Sequence, residues 1–441
     1  MGECPAVSAA RLRIKWHASL VNMEIVMLSK FFSDSARMYA IRRGPSGPLL
    51  EEFADYLFRS GYSKISARRH IRSAEHIVHW ALRQGSPVDG LDGTALERFD
   101  RHLCRCRCGR FYCAARVDIV TGARLFLTNL HGAEGAAICH AKGDTPESEL
   151  LKSFCRWMRD QRGSADGTLS NYGRPIRELI RLIGEDPSKL TARLLRQFVM
   201  ERSQHVGWAA ANHCTTGLRM FLRFLIAGGR CSAGLLGAIP KLAHWRLSSL
   251  PRVLAPADVE RIIASCDLSS PVGKRDRAIL LLLARLGLRA GDIVQLRLQD
   301  IDWKVATIQV CGKGRRQTQL PLSQEVGQAI VDYLQHGRPA NCVDELFLRS
   351  RAPFRGLKSH AAVSVLVDRA ICRAGVAKPA RGAAHLLRHS VASSMLRQGA
   401  SLQEIADLLR HRSVETTQIY AKVDVTSLQQ IAQPWPEVAP C

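Results

Sequence analysis

An internal repeat constrains the fold of this chain more than any other feature of its sequence. The segment TGARLFLTNL at 121–130 matches TGLRMFLRFL at 216–225 without a gap, and LLEEFADYL at 49–57 matches LLKSFCRWM at 150–158 in the same order. The apolar residues of these segments recur at the spacing of amphipathic helices. Two matches in the same order indicate one structural unit used twice, so the sequence predicts two tandem helical modules. The alternative is that amphipathic helices resemble one another by chance.

The C-terminal part of the chain has a different pattern. Pro240 and Pro251 interrupt any helix there, which predicts an extended linker. Farther on, ATIQV at 306–310 and QTQLPL at 317–322 alternate apolar and polar residues on either side of a glycine-containing turn, which predicts a β-hairpin. We therefore expect a mostly α fold with a small antiparallel sheet in the C-terminal domain (α+β). The predicted parts are a poorly ordered leader, a first helical module, a second helical module, a linker, a C-terminal domain and a tail, at 1–46, 47–135, 146–230, 231–252, 253–425 and 426–441.

The charge of the chain indicates a polyanionic partner. Lys and Arg number 63 against 39 Asp and Glu, which leaves a formal net charge of +24. Such an excess is typical of nucleic-acid binding, because cations that neutralise phosphates release condensed counterions. The longest apolar stretch, Ala278–Ala284, is far shorter than the ~20 residues of a membrane-spanning helix, so we expect no membrane partner. No secretory signal is visible at the N-terminus, so we expect a cytoplasmic, nucleoid-associated protein.

Arginines on the predicted helices and in the hairpin turn are the candidate DNA contacts. Their guanidinium groups would bind backbone phosphates and fix the position of the protein on the duplex. The alternative is that these charges only keep the helix surfaces solvated. The candidates are Arg68, Arg69, Arg72, Arg174, Arg177, Arg315 and Arg316.

The C-terminal domain carries an ordered set of residues suited to phosphodiester chemistry. A guanidinium fork matches two phosphate oxygens, a phenol can act as the nucleophile if positive groups stabilise its phenolate, and the leaving alkoxide needs a proton donor. Two members, His385 and Arg388, are three residues apart and therefore share one helix face. We expect these side chains to meet in one site for covalent cleavage of a phosphodiester. The set is Arg289, Lys313, His385, Arg388, His411 and Tyr420.

This set resembles the catalytic domain of the tyrosine recombinase (phage integrase) family. The resemblance covers about 250–425: an arginine after a Leu-Gly-Leu turn, a lysine on a hairpin, His-x-x-Arg, a second histidine and a tyrosine. The second helical module resembles the core-binding domain of that family. The resemblance implies tandem helical SAM-like DNA-binding modules followed by a tyrosine-recombinase catalytic domain, as in Xer-like and integrase-like site-specific recombinases. The family usually has glycine before the second histidine, where this chain has Arg410.

The resemblance also implies a nucleophile and its phosphate-binding partners. Tyr420 would attack the scissile phosphate, form a 3′-phosphotyrosyl link and free a 5′-hydroxyl. Arg289 and Arg388 would bind the non-bridging oxygens as charge develops on them. His411 would hydrogen-bond the same phosphate.

Two further groups would move protons. By the same resemblance, His385 is the general base for the tyrosine and Lys313 protonates the leaving 5′-oxygen. His389 is adjacent to Arg388, and we expect it to point to another side of the helix and to have a structural role.

The expected activity is that of a mobile-element recombinase or integrase that cleaves and rejoins duplex DNA. Its expected partners are double-stranded DNA with paired recombination sites and three more copies of itself, which would form a tetramer. No cofactor is implied, because the phosphotyrosine conserves the bond energy and the arginines supply the charge of a divalent metal. Two alternatives are a type IB topoisomerase-like enzyme that relaxes supercoils as a monomer, and a catalytically idle DNA-binding protein.

A cysteine cluster, CRCRCGRFYC, lies in the stretch that lengthens the first repeat. Four thiolates could bind zinc, although C-x-C-x-C is not the C-x₂₋₄-C spacing of common structural sites. The alternative is a basic loop with free thiols. We expect no metal, and the candidate ligands are Cys104, Cys106, Cys108 and Cys113.

Overall fold

The computed structural model describes residues 27–106, 108, 115–132, 148–243, 252–312, 317–340, 343–377, 382–411 and 413–423. This part of the chain is mostly helical and contains a small antiparallel sheet, which confirms the predicted fold class. The chain divides into two compact units, one made of Met1–Ala141, Cys266–Ile279 and Ala290–Leu366, the other of Lys142–Ser265, Leu280–Arg289 and Val367–Cys441. Within the described ranges, no helix combines the length and the apolar character needed to cross a membrane.

The first helical module begins earlier than the sequence predicts. Residues 28–43 fall in the predicted leader, yet they form α1 (Leu28–Phe31) and α2 (Ser35–Arg43). The Asp34 carboxylate caps α2 by accepting hydrogen bonds from two backbone N–H groups of its first turn. The leader prediction is wrong for these residues, because their apolar side chains join the core of the module, and residues 1–26 lie outside the described part. The side chains buried there are Leu28, Phe31 and Ile41.

Two aspects of packing define the first module. Its α4 lies along α6, and at Gly122 an added Cβ atom would be 2.6 Å from the Cβ atom of Ser73. In the core, the rings of Phe53 and Phe126 meet edge to face with centroids 5.4 Å apart. Both phenylalanines are almost fully buried. The longer helices of this module are α3 (Gly47–Arg59), α4 (Lys64–Arg83), α5 (Gly93–Leu103) and α6 (Arg116–Leu130).

The second module repeats both aspects. Here α10 packs against α8, and an added Cβ atom at Gly217 would be 3.2 Å from Cδ1 of Tyr172. The rings of Phe154 and Phe221 meet edge to face at 5.5 Å. These phenylalanines and this glycine occupy the positions that the sequence repeat matches to those of the first module. The helices are α7 (Glu149–Arg162), α8 (Asp166–Ile183), α9 (Ala192–His205) and α10 (Trp208–Ala227).

The C-terminal region combines helices with the sheet. The predicted hairpin is present: β2 and β3 pair antiparallel, with Ile308 opposite Leu320. A two-residue strand, β1, extends the sheet in the order β1-β2-β3. The strands are β1 (Ile301–Asp302), β2 (Thr307–Cys311) and β3 (Gln317–Pro321). The helices are α11 (Pro256–Ala264), α12 (Pro271–Arg285), α13 (Ala290–Gln295), α14 (Gln324–His336), α15 (His360–Arg373), α16 (Ala383–Arg397) and α17 (Leu402–Leu408).

A small core holds the last described segment against α16 and α17. Ser401 and Glu404 form a capping box that begins α17. Two short 3₁₀ helices follow it, Val414–Thr416 and Gln418–Val423. The side chains that pack together there are Ala392, Ile405, Leu409 and Tyr420.

Candidate active site

The structure brings the two predicted arginines together. Arg388 is buried in α16 and donates hydrogen bonds to the carbonyl oxygens of Gly287 and Leu409. Arg289 is half-buried, and its Nη2 atom lies 3.3 Å from the carbonyl oxygen of Arg410 and 3.5 Å from that of Leu409. Both guanidinium groups therefore converge on the Leu409 carbonyl. The convergence concentrates positive charge at one point, where an anion would be stabilised.

The backbone on both sides of this contact is in the left-handed region. Gly287 has φ 57°, and an added Cβ atom there would be 2.7 Å from Cδ2 of Leu409, so a side chain at this position would be strained. Arg410 has φ 54° although it is not glycine. This conformation costs an L-residue about 1–2 kcal/mol. The residue that replaces the usual glycine of the family thus keeps a backbone conformation that favours glycine.

Tyr420 lies in the small core described above. It is 1% exposed, and its hydroxyl is hydrogen-bonded to Nδ1 of His389 at 2.8 Å. Burial raises the pKa of the Tyr420 phenol, and the positive charge of Arg388 acts in the opposite direction. The phenol is therefore close enough to Arg388 to feel its charge, and it is protonated near neutral pH.

Two histidines of the site are held in their neutral form. Burial lowers the pKa of His389 to about 4, with the neighbouring His385 and Arg388 acting in the same direction. Burial also lowers the pKa of His411 to about 4, together with the charges of Arg388 and Arg289. Nδ1 of His411 is hydrogen-bonded at 2.8 Å to Oγ1 of the buried Thr417. Neutral imidazoles at both positions can accept a proton or donate a hydrogen bond.

The structure corrects the prediction for His389. This side chain does not point away from the site but contacts the Tyr420 hydroxyl, because residues four apart on an α-helix share a face. His385 is one turn earlier on that face, is exposed, and its ring centroid is 6.4 Å from that of His389. The spacing of His385 and His389 was the sequence signal for this pair.

The predicted DNA-contacting arginines differ in their surroundings. Nε of Arg68 donates a hydrogen bond to the Phe31 carbonyl, and its guanidinium lies over the Phe32 ring at 5.8 Å. Arg68 therefore ties α4 to the N-terminal helices, and its contact to phosphate stays a prediction. Arg69 pairs with Asp118 on the surface at 3.2 Å. The remaining described candidates, Arg72, Arg174 and Arg177, are exposed.

Three predicted residues lie outside the described part of the chain: Lys313, Arg315 and Arg316. The same holds for Cys113 among the cysteines. Cys104 is exposed, and its Sγ atom accepts a hydrogen bond from Nη1 of Arg116 at 2.9 Å. Cys106 and Cys108 instead lie close to two histidines, His76 and His102, which the sequence reasoning missed. The spacing His102-x₃-Cys106 was the only local signal for this group.

Comparisons with known proteins place the chain among integrases. Residues 252–426 match the Phage integrase family. The putative integrase/recombinase y4rA of Sinorhizobium fredii is 35% identical over 407 residues, which cover 90% of this chain and 97% of the relative. A second protein of that organism, the putative integrase/recombinase y4rF, is 32% identical over 93% of this chain and 96% of its own length. The tyrosine recombinase XerD of Listeria monocytogenes is 29% identical over 64% of this chain and 97% of its own length.

A solved structure gives the same result for the fold. The XerH site-specific recombinase, bound to palindromic difH substrate in a post-cleavage complex, matches 78% of this chain and 95% of its own chain with a TM-score of 0.53 and 19% identity. At this identity the likeness shows the fold alone. The predicted family and fold class are both confirmed, and nothing in these comparisons supports a topoisomerase or an idle DNA-binding protein. The chain belongs to the phage integrase family of tyrosine recombinases.

Proposed function

We propose that this protein cleaves and rejoins duplex DNA at specific sites through a 3′-phosphotyrosyl link to Tyr420. The convergence of Arg289 and Arg388 on the Leu409 carbonyl, beside the Tyr420–His389 hydrogen bond, is the observation that carries the proposal. Family membership supports the reaction class, since strand cleavage and rejoining is what tyrosine recombinases do. The relation to integrases supports a mobile-element origin.

The arginines would hold the scissile phosphate. A guanidinium has five N–H donors, and Arg388 uses contacts to two carbonyl oxygens to fix its orientation. The guanidinium groups of Arg388 and Arg289 would bind the two non-bridging oxygens. Stabilising the charge that develops there is typically worth about 3–4 kcal/mol for each preorganised donor.

In the chemical step, one bond to phosphorus would replace another, and two protons would move. The Tyr420 oxygen forms a bond to phosphorus while the bond from phosphorus to the 5′-oxygen breaks. The phenol proton passes to a neutral imidazole, and His389 is better placed for this than His385 because it already shares a hydrogen bond with the hydroxyl. Lys313 remains the proposed proton donor to the 5′-oxygen, and His411 a phosphate ligand.

The burial of Tyr420 sets a condition on this mechanism. A phenol that is 1% exposed cannot reach a phosphate in solution. The 3₁₀ helix Gln418–Val423 would therefore have to shift when DNA binds. Tyr420 would then leave the small apolar core and contact the phosphate.

Covalent capture on a suicide substrate tests the proposal. The probe is a duplex from the DNA flanking the gene, nicked near the cleavage point so that the freed end diffuses away. Wild-type protein should form a covalent complex that survives denaturing electrophoresis. Tyr420→Phe should abolish capture and leave binding of the unnicked duplex intact, whereas Tyr39→Phe, at a residue 58% exposed and outside the site, should keep both. Capture by Tyr420→Phe would refute the assignment.

The same substrate separates the two histidines. His389→Ala should slow capture by roughly 10²–10⁴-fold if it accepts the phenol proton. His385→Ala should then have the smaller effect. The reverse order would return the role of base to His385.

We also propose the partners that follow from this function. Paired recombination sites and a tetramer of this chain would be needed to exchange strands, within the cytoplasm and on the nucleoid. Mass measurement of the protein–DNA complex on a duplex with two sites should give four protein copies. A monomer that relaxes supercoiled plasmid without any site would favour a topoisomerase activity instead.

A further inference from the structure

Two histidines and two cysteines of the first helical module converge although they come from separate parts of the sequence. His76 lies on α4, His102 in the last turn of α5, and Cys106 and Cys108 follow α5. One nitrogen of each histidine and the sulfur of each cysteine all lie within 4.8 Å of one another. Among the described residues, this is the only group of histidine, cysteine or carboxylate ligands with such an arrangement.

The distances fit a tetrahedral metal ion. Bonds of about 2.3 Å to sulfur and about 2.0–2.1 Å to nitrogen place the ligand atoms of a zinc site roughly 3.3–3.8 Å apart. Cys106 Sγ is 3.4 Å from His76 Nε2, and Cys108 Sγ is 3.7 Å from His102 Nε2. Two edges of the tetrahedron are thus already formed. We propose that His76, His102, Cys106 and Cys108 bind one structural zinc ion.

The surroundings hold the ligands in place. The His76 side chain is almost fully buried, and its ring meets that of Phe99 edge to face at 5.1 Å. The His102 ring packs near Trp80, with centroids 6.2 Å apart. The backbone N–H of Cys108 donates a hydrogen bond to Cys106 Sγ at 3.3 Å. A metal site needs its ligand side chains held in fixed orientations by the residues around them.

The chemistry of the set selects the metal. Two thiolates and two imidazoles without a carboxylate suit zinc and not magnesium or calcium, which prefer oxygen ligands. All four positions are filled by protein, as in structural sites, so the ion would have no open position for catalysis. It would fasten the segment after α5 to α4. Each cysteine would release its thiol proton on binding, which makes the affinity depend on pH.

Cys104 provides an internal control. It lies two residues before Cys106 but is exposed, and its sulfur accepts a hydrogen bond from Arg116. It is not a member of the converging group. If the three cysteines only formed a loop with accessible thiols, replacing Cys104, Cys106 or Cys108 should have the same effect on zinc content. If the zinc site exists, replacing Cys104 should have no effect, unlike replacing the other two.

Metal content tests the site in the full chain, produced without a histidine tag. After equilibration with zinc and gel filtration, elemental analysis should find one zinc per wild-type chain. The Cys106→Ser/Cys108→Ser protein should lose that zinc and Cys104→Ser should keep it. Zinc absent from the wild-type protein, or kept by the double variant, would overturn the proposal.

Cobalt binding tests the site in the wild-type chain, so the result does not depend on whether the double variant folds. Co²⁺ added to the chelator-treated wild-type chain should give intense visible bands of tetrahedral coordination and a thiolate charge-transfer band, and added zinc should bleach both. Weak octahedral bands alone would exclude the site. A disulfide between Cys106 and Cys108 in the intact mass of freshly isolated protein would exclude it too. Neither readout depends on recombination, so the zinc site and the proposed function can fail separately.

Discussion

The two helical modules are built around the same packing but are completed differently. Phe53 and Phe126 in the first module meet at 5.4 Å, and Phe154 and Phe221 in the second meet at 5.5 Å, each pair edge to face. All four side chains are at most 1% exposed. The repeat thus preserves the ring pair that joins α3 to α6 and α7 to α10. Beyond this shared core, only the first module has a converging histidine–cysteine group among the described residues.

This difference indicates which parts of the repeated helical unit can vary between its two occurrences. Buried ring pairs and close contacts between helices depend on close-packed side chains of matching shape. A substitution there therefore disturbs the packing of all neighbouring side chains. Cys104, just after α5, is exposed, and surface positions tolerate added residues. The first copy is the longer one in this stretch, and its extra residues include cysteines. A ligand cluster could therefore be added to one copy without disturbing the packing that both copies share.

Removing one ring of the pair should have the largest effect. Phe53→Ala and Phe154→Ala should each destabilise their own module by about 3–5 kcal/mol, because a fully buried ring leaves a cavity. Hydrogen exchange with mass spectrometry on the full chain should show the loss of protection only in the peptides of the module that carries the change.

One exposed apolar residue on another helix of each module provides the control. Ile65→Ala in α4 and Leu182→Ala in α8 remove side chains that are 79% and 62% exposed, and should change stability by less than about 0.5 kcal/mol. If the two phenylalanine variants differed by more than about 2 kcal/mol, the two cores could not be regarded as equivalent.

Substitution of the matched glycines, Gly122 and Gly217, should reveal a smaller difference in stability between the two modules. An added Cβ atom at Gly122 would be 2.6 Å from Ser73 Cβ, which cannot rotate away, but at Gly217 it would be 3.2 Å from a ring atom of Tyr172. Overpacking of this kind costs about 1–3 kcal/mol, so Gly122→Ala should fall within that range and Gly217→Ala below it. Thermal unfolding and hydrogen exchange measure the difference.

A third helical glycine calibrates this comparison. Gly167 in α8 has no atom within 4 Å of an added Cβ. Gly167→Ala should therefore be neutral or stabilising by up to ~1 kcal/mol, through helix propensity alone. A larger loss at Gly217 than at Gly122 would show that the helices of the second module are the more tightly packed pair.

The sequence predicted the repeated core because periodicity and aromatic matches report packing directly. It also predicted the hairpin, where alternation and glycines mark β2 and β3, but not β1, since two residues carry no period. It missed α1 and α2 because nine residues or fewer give a weak helical pattern, and their burial depends on the core that the rest of the module supplies.

The candidate active site was predictable in its residue types but not in its pairings. Spacing placed His385 and Arg388 on one helix face, and the structure brings Arg388 together with Arg289. The hydrogen-bond partner of the Tyr420 hydroxyl, His389, could not be predicted, because the choice between His385 and His389 depends on where the last 3₁₀ helix docks. The histidine–cysteine group was missed for a similar reason: His76 meets Cys106 only through the packing of α4 and α5.

Lowering the pH should cause the smallest of the predicted differences in stability between the two modules. His70 of the first module is buried, packs edge-on against the Tyr62 ring at 5.2 Å, and has its pKa lowered by burial and by the charge of Arg69. The second module has exposed histidines at His205 and His213. Among the residues that the structure describes, only the first module therefore holds a histidine of this kind in its neutral form within the core.

The sign of the effect follows from proton linkage. Above the ordinary pKa of 6.5 both the folded and the unfolded states leave His70 neutral, so its contribution to stability is fully present. As the pH falls below that value, the unfolded chain binds a proton that the folded module resists, and the free energy of unfolding of the first module decreases. Hydrogen exchange between pH 7 and pH 5, corrected for its intrinsic rate, should show the first module losing more protection than the second. His70→Gln should remove part of that slope and His213→Gln none of it. Between its ordinary pKa of 6.5 and pH 5 the unfolded imidazole titrates over at most about 1.5 pH units, each worth about 1.4 kcal/mol, so the change should be smaller than the losses expected for the buried rings. Equal slopes in both modules, or an unchanged slope in His70→Gln, would mean that the buried imidazole does not contribute to the difference between the two copies.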